Sequence, residues 1–188
     1  MATVTFEDYF VADQDFALQT LDAFEKAKDS VINMYGSSTN FKVEQIRFCE
    51  NAMSTWFPAG TQNTIVIRLN QAAYLNKGQM YYQLGHEIVH WLSPVLGLPA
   101  TILEEGLAER HAKHFTIQYI GNPWFTVGTN YAAARELIDK FEGSYNIEKI
   151  KEIRKSQSII SKITADDILQ VCPDLDKQLA EKLTEKFI

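Results

Sequence analysis

The sequence predicts an α+β fold: a small mixed sheet with an amphipathic helix in the first half of the chain, and helices alone in the second. Two strand-like segments, Phe41 to Phe48 and Thr64 to Leu69, lie in the first half, while helical spacing of apolar residues recurs through the second. No Pro-, Gly- or Ser-rich linker separates the halves. The expectation is one domain over residues 1–188, with lobes at about 1–92 and 93–188.

Each element has a local reason. From Asp13 to Tyr35 the apolar residues Phe16, Leu21, Phe24, Ala27 and Val31 recur mostly three or four apart, and Gly36 is suited to end the helix. FKVEQIRF (41–48) and TIVIRL (64–69) are short, rich in β-branched and aromatic residues, and bounded by turn formers, so they read as strands. Gln79 to Leu92 is helical and ends at Pro94, whose ring disfavours helical geometry in the residue before it. Trp91 to Leu103 carries no charged side chain but is broken by Ser93, Pro94, Gly97 and Pro99, so it reads as a buried loop and not a membrane span. Ile102 to about Tyr119 is helical until Gly121, Asn122 and Pro123. Tyr131 to Phe141 and Ile147 to Ile153 follow, Thr164 and Asp167 form a capping-box variant, and Pro173 opens a last helix with Leu175, Leu179 and Leu183.

Composition narrows the function classes. The chain has 188 residues, 46% hydrophobic and 22% charged, which excludes disorder and collagen. Its 18 Lys and Arg stand against 24 Asp and Glu, a net charge of -6 with no basic cluster, so neither nucleic acid nor membrane is an expected partner. Cys49 and Cys172 have no CxxC spacing and read as reduced cysteines in or near a core. MATVTFEDYF lacks the basic and apolar regions of a secretory signal, so the expected location is cytoplasmic.

The segment His86-Glu87-Ile88-Val89-His90 carries the chemistry. Two histidines four apart lie one turn apart on one helix face, so both imidazoles can reach one metal ion, and Glu87 is placed to deprotonate a bound water. A catalytic zinc needs a third protein ligand. Ser93 and Leu96 stand where a third-histidine pattern would require Gly and His, which excludes that branch. Leu103-Glu104-Glu105-Gly106-Leu107-Ala108-Glu109 opens the next helix instead, and a carboxylate there can complete the coordination. Glu105 and Glu109 are four apart, so with Glu105 as ligand Glu109 lies one turn along and can accept the outer N–H of a ligating histidine. Gly106 leaves room for two helices to approach at the metal.

With these segments in view the chain resembles the gluzincins, zinc metallopeptidases with an HExxH helix and a glutamate ligand on a later helix. In aminopeptidase N-like and clostridial collagenase-like members the ligand glutamate directly precedes a glycine, which maps onto Glu105-Gly106. The spacing from His90 to Glu109 matches the aminopeptidases, so Glu109 competes as third ligand; the glycine context favours Glu105. The resemblance implies a zincin-like fold, one Zn2+ held by His86, His90 and Glu105, Glu87 as general base, and endopeptidase cleavage of a peptide or protein substrate. The aminopeptidases also place a transition-state tyrosine at a helix start, which maps onto Tyr131 without the family's lysine. The strand at Thr64 to Leu69 would border the cleft and bind extended substrate. The amine-recognition motif of the aminopeptidases is absent, so exopeptidase specificity is not expected.

A second reading keeps the metal without turnover: a zincin-like regulatory or interaction protein. The intact Glu87 argues against it. His111 and His114 read as structural or polar-face residues, with His111 the better candidate for a supporting role. Arg68 and Arg135 are candidates for a substrate carboxylate or oxyanion but read more readily as ion-pair partners. Trp56, Trp91 and Trp124 read as core or cleft wall.

Overall fold

Strand β1 (Thr3–Phe6) pairs antiparallel with β2 (Tyr9–Phe10), then α1 (Gln14–Tyr35) carries the chain across to β3 (Lys42–Cys49), parallel to β1. Parallel neighbours need such a crossover, and a helix supplies it. After the short β4 (Ser54–Trp56) comes β5 (Thr64–Asn70), parallel to β3 and antiparallel to β4. The sheet order is therefore β2-β1-β3-β5-β4. The computed structural model describes residues 2–6, 9–10, 13–37, 39–50, 53–61, 63–124 and 126–188, and among these the fold is mixed α+β, with seven α-helices.

Helices α1 and α2 (Lys77–Trp91) pack together and against the sheet. On the sheet, Val4, Ile46, Phe48, Ile65, Ile67 and Leu69 are buried at alternate positions, one face of the strands, and Thr5, Cys49 and Val66 on the other face are buried as well. Asp13 caps α1 by accepting from the Phe16 amide, and Gly36 ends it at φ 92°, a conformation that favours glycine. Helix α2 runs through the centre, buried almost all round from Met80 to Val89. Next come α3 (Ile102–Ile120), α4 (Asn130–Ser144), α5 (Lys149–Ser156), α6 (Ala165–Val171) and α7 (Lys177–Leu183). A single cluster of buried apolar side chains extends from Val4 to Leu183. No helix among the described residues is long and apolar enough to cross a membrane.

Several expectations need correction. Strands β1, β2 and β4 were not anticipated; they are two to four residues long, too short to display a hydrophobic period. The loop after α2 is not buried at its tip: Leu96 is 77% exposed and Gly97 turns there at φ 75°. Pro173 does not open the last helix. Asp176 caps α7 by accepting from the Gln178 and Leu179 amides, so Pro173 and Leu175 lie in the preceding turn. Thr164 and Asp167 do form a reciprocal capping box, and Cys49 and Cys172 are buried free thiols.

Candidate metal centre

Two close helix approaches build the site. A Cβ on Gly85 would meet the Ala112 Cα at 3.0 Å, so α2 and α3 touch one residue before His86. A Cβ on Gly106 would meet the Ala134 carbonyl oxygen at 2.6 Å, so the helix this glycine admits is α4 and not the histidine helix. Thr101 caps α3 by accepting from the Glu104 amide, which places Glu104 and Glu105 in the first turn, where the helix dipole favours carboxylates.

Donor atoms of His86, His90 and Glu105 all lie within 4.8 Å of one another. The two Nε2 atoms are 3.3 Å apart; Glu105 Oε2 is 3.2 Å from the first and Oε1 3.6 Å from the second. The outer nitrogens are engaged elsewhere. His86 Nδ1 donates to Glu109 Oε1 at 3.1 Å, and His90 Nδ1 donates to Glu104 Oε1 at 2.9 Å. Ionised carboxylates only accept, so the proton of each neutral ring sits on Nδ1 and each Nε2 presents a lone pair. Glu105 Oε2 is buried and, although close to His86, has no partner in hydrogen-bond geometry. With both rings neutral, three electron-pair donors converge on one point, which is the arrangement that a cation satisfies. Two imidazoles and a carboxylate form a donor set suited to zinc.

Without a cation, protons take its place. Burial works to lower the His86 pKa, but Glu105 and Glu109 outweigh it and raise it to about 9. His90 is also held well above its ordinary value: burial opposes the rise, and Glu105 and Glu104 drive it. For Glu105 burial acts upward, and the two imidazoles pull its pKa well below the usual carboxylate range.

Glu87 is buried beside the cluster, and Thr55 on β4 donates to its Oε2 at 3.2 Å. Burial raises its pKa, offset in part by His90 and His86. Tyr131, in the first turn of α4 and 38% exposed, places its ring 5.8 Å from that of His86. Burial, then the charges of Glu105 and Glu87, raise its pKa, so the phenol keeps its proton at neutral pH. Glu109 also accepts from Tyr82 at 2.5 Å and, through Oε2, from Thr126 at 2.8 Å.

A cleft of about 740 Å³ opens over these residues. Met53, Phe57, Val95, Leu98 and Trp124 are among its walls, and no lysine or arginine lines it among the described residues. Strand β4 forms its sheet side. The expectation that the Thr64 to Leu69 strand borders the cleft and binds extended substrate is corrected: β5 is paired on both sides, by β3 and β4, and reaches the cleft only through Asn70 at its end, whereas β4 is an edge strand and supplies Ser54 and Thr55. Arg68 lies outside it, in a separate hollow with Arg47, Cys49 and Trp56. Arg135 donates to the Thr126 carbonyl at 3.2 Å. His111 is buried behind the site, bonded to Gly85 and Ser30. Trp91 is buried and donates to the Phe41 carbonyl at 3.0 Å.

Glu104, Thr55, Tyr82 and Thr126 are the site residues that sequence reasoning did not single out. Only Glu104 carried a signal, as the neighbour of the favoured ligand. No protein-family model matches this chain, and no curated protein and no solved structure matches it significantly.

Proposed function

We propose that the chain is a zincin-like endopeptidase of gluzincin type, with His86, His90 and Glu105 holding one zinc ion. The observation that carries this reading is the convergence of their donor atoms within 4.8 Å while each imidazole's Nδ1 is engaged by its own carboxylate. Zinc bound there would supply Lewis acidity to a water and to the scissile carbonyl. Glu87, raised by burial, accepts the proton of the attacking water and hands it to the departing amine. Tyr131 donates to the carbonyl oxygen as negative charge develops on it. Glu104 and Glu109 hold the imidazoles in the ligating tautomer.

Two features support a peptide as substrate. Strand β4 lies at the edge of the sheet and its Ser54 and Thr55 line the cleft, so an extended chain can add there as a further strand. The apolar walls suit uncharged side chains. Glu87, Glu104, Glu105 and Glu109 are all engaged at the floor, and no lysine or arginine lines the cleft among the described residues to receive a substrate's terminal carboxylate. That favours internal cleavage.

The test is digestion of a diverse peptide library by the zinc-loaded protein beside Glu87→Gln. Internal cuts that vanish in a variant retaining zinc support the reading. Equal cutting by both proteins refutes the role of Glu87, and no cutting by zinc-loaded wild type refutes the hydrolase.

A further inference from the structure

The segment 185–188 packs beside the starts of the two helices that carry Glu104, Glu105 and Tyr131. The Phe187 amide donates to the Ala100 carbonyl at 2.9 Å and the Ile102 amide to the Glu185 carbonyl at 2.9 Å, around an antiparallel bridge between Thr101 and Lys186. This short ladder is fastened to the residues that start α3, and Thr101 at its centre caps the helix turn that contains Glu104 and Glu105. At the other end of the segment, Asn130 Nδ2 donates to the main-chain oxygen of Ile188 at 2.7 Å. The segment therefore ties the start of α3 to the start of α4.

Between these anchors the Phe187 ring packs on Tyr131, centroids 4.8 Å apart and planes inclined by 48°. Tyr131 in turn stands edge-on to His86. Its ring is thus in contact with the metal-binding imidazole and with Phe187. A tyrosine that is 38% exposed at a cleft wall has rotamers open to it, and a ring packed in this geometry restricts them.

We propose that Phe187 is a positioning residue, the bridged segment 185–188 holding it against Tyr131 so that the phenol is fixed at the metal centre before substrate arrives. The inference rests on the hydrolytic reading for its effect on rate, but the contact itself can be tested without turnover. A phenol fixed in place strengthens with the developing charge and adds nothing to ground-state binding, so its misplacement falls on kcat.

The experiment compares wild type, Tyr131→Phe, Phe187→Ala, Phe187→Leu and the double variant Tyr131→Phe/Phe187→Ala on one cleaved peptide, with zinc content measured for each. Tyr131→Phe should lower kcat roughly 100-fold, as loss of an oxyanion donor does. Phe187→Ala should lower it about 10-fold to 100-fold with KM and zinc content retained, and Phe187→Leu should recover most of the loss. The double variant should be no slower than Tyr131→Phe alone, because a residue acting through the phenol has nothing further to lose. Multiplying losses, or zinc content falling along with kcat, would overturn the proposal.

The second readout is fluorine NMR of the protein labelled with 3-fluorotyrosine, the Tyr131 signal being assigned by its disappearance in Tyr131→Phe. Phe187→Ala should move that signal and leave the rest of the 8 tyrosines in place. An unmoved signal overturns the proposal. Should wild type cleave no peptide, the hydrolytic reading fails and the fluorine signal alone decides whether Phe187 positions Tyr131.

Discussion

His86 Nδ1 lies 3.1 Å from Glu109 Oε1, and the same carboxylate accepts from Tyr82 and Thr126, so three donors fix a buried anion behind one imidazole. The ring is thereby held with its Nε2 edge toward Glu105 and His90, protonated or not.

Glu109→Gln replaces two accepting oxygens by one oxygen and an NH2 group that cannot accept from any of the three donors. Zinc affinity should fall roughly 10-fold to 100-fold, the usual cost of losing an outer partner of a ligating histidine. Glu104→Gln should act similarly through His90, which is 2.9 Å from it. Competition with a chromophoric chelator measures both. Wild-type affinity in Glu109→Gln would show that the tautomer is set by something else.

Zinc binding should expel protons. The metal-free His86 has its pKa raised to about 9, so below that value the ring carries a proton that must leave before Nε2 can ligate. Apparent affinity should therefore rise with pH from neutrality to about 9, by up to about tenfold per pH unit for each proton released. Calorimetric titration at pH 7.5 in buffers of differing ionisation heat counts those protons. A heat independent of buffer would rule out the protonated metal-free state.

The parts of the site that a helix period controls were legible in the sequence. Four-residue spacing put His86 and His90 on one face, and the same spacing put Glu109 in line with Glu105. The role of Glu104 was not legible, because residues adjacent in a helix point about 100° apart, and which of two neighbouring carboxylates meets which imidazole depends on how α2 and α3 pack. Thr55 was hidden for a different reason. Its strand is three residues long and relies on pairing with β5 in place of any pattern of its own, so the resemblance was carried onto β5, the strand read just before the histidine helix. Gly106 was rightly read as a close approach, but a single sequence does not say which helix comes near.

Arg154 should prove a main structural tie outside the cleft. Its guanidinium donates to the carbonyls of Tyr35, Gly36, Ser37 and Ser158 at 2.7 to 3.3 Å, so it closes the carboxyl end of α1 where the backbone has no amides left to offer. Burial lowers its pKa to about 10, which leaves it charged at neutral pH. Arg154→Ala strands these carbonyls and should cost roughly 3 kcal/mol of stability. Arg154→Lys should recover only part, because one ammonium cannot span the same fork. Urea unfolding of the metal-free protein reads both, and a loss within experimental error for Arg154→Ala would contradict the assignment.

His111 predicts an acid limb in stability that is separate from zinc release. Its Nδ1 lies 2.6 Å from the Gly85 carbonyl, which only accepts, so Nδ1 carries the proton and Nε2 accepts from Ser30 Oγ at 3.0 Å. Burial lowers its pKa to about 4; the Gly85 bond opposes this, and the Arg110 charge adds to it. The sign follows from proton uptake. Below its ordinary value near 6.5 the unfolded chain binds a proton that the folded ring refuses, so stability is intact above 6.5 and is lost as pH falls toward 4. The full loss is roughly 3 kcal/mol by linkage. His111→Gln keeps a donor and an acceptor but does not titrate. The stability advantage of wild type over this variant, measured by urea unfolding of the metal-free proteins, should therefore shrink steadily between pH 6.5 and 4. A constant difference across that range would mean that His111 is charged in the fold, and the bond to the Gly85 carbonyl would then have to be assigned to an imidazolium.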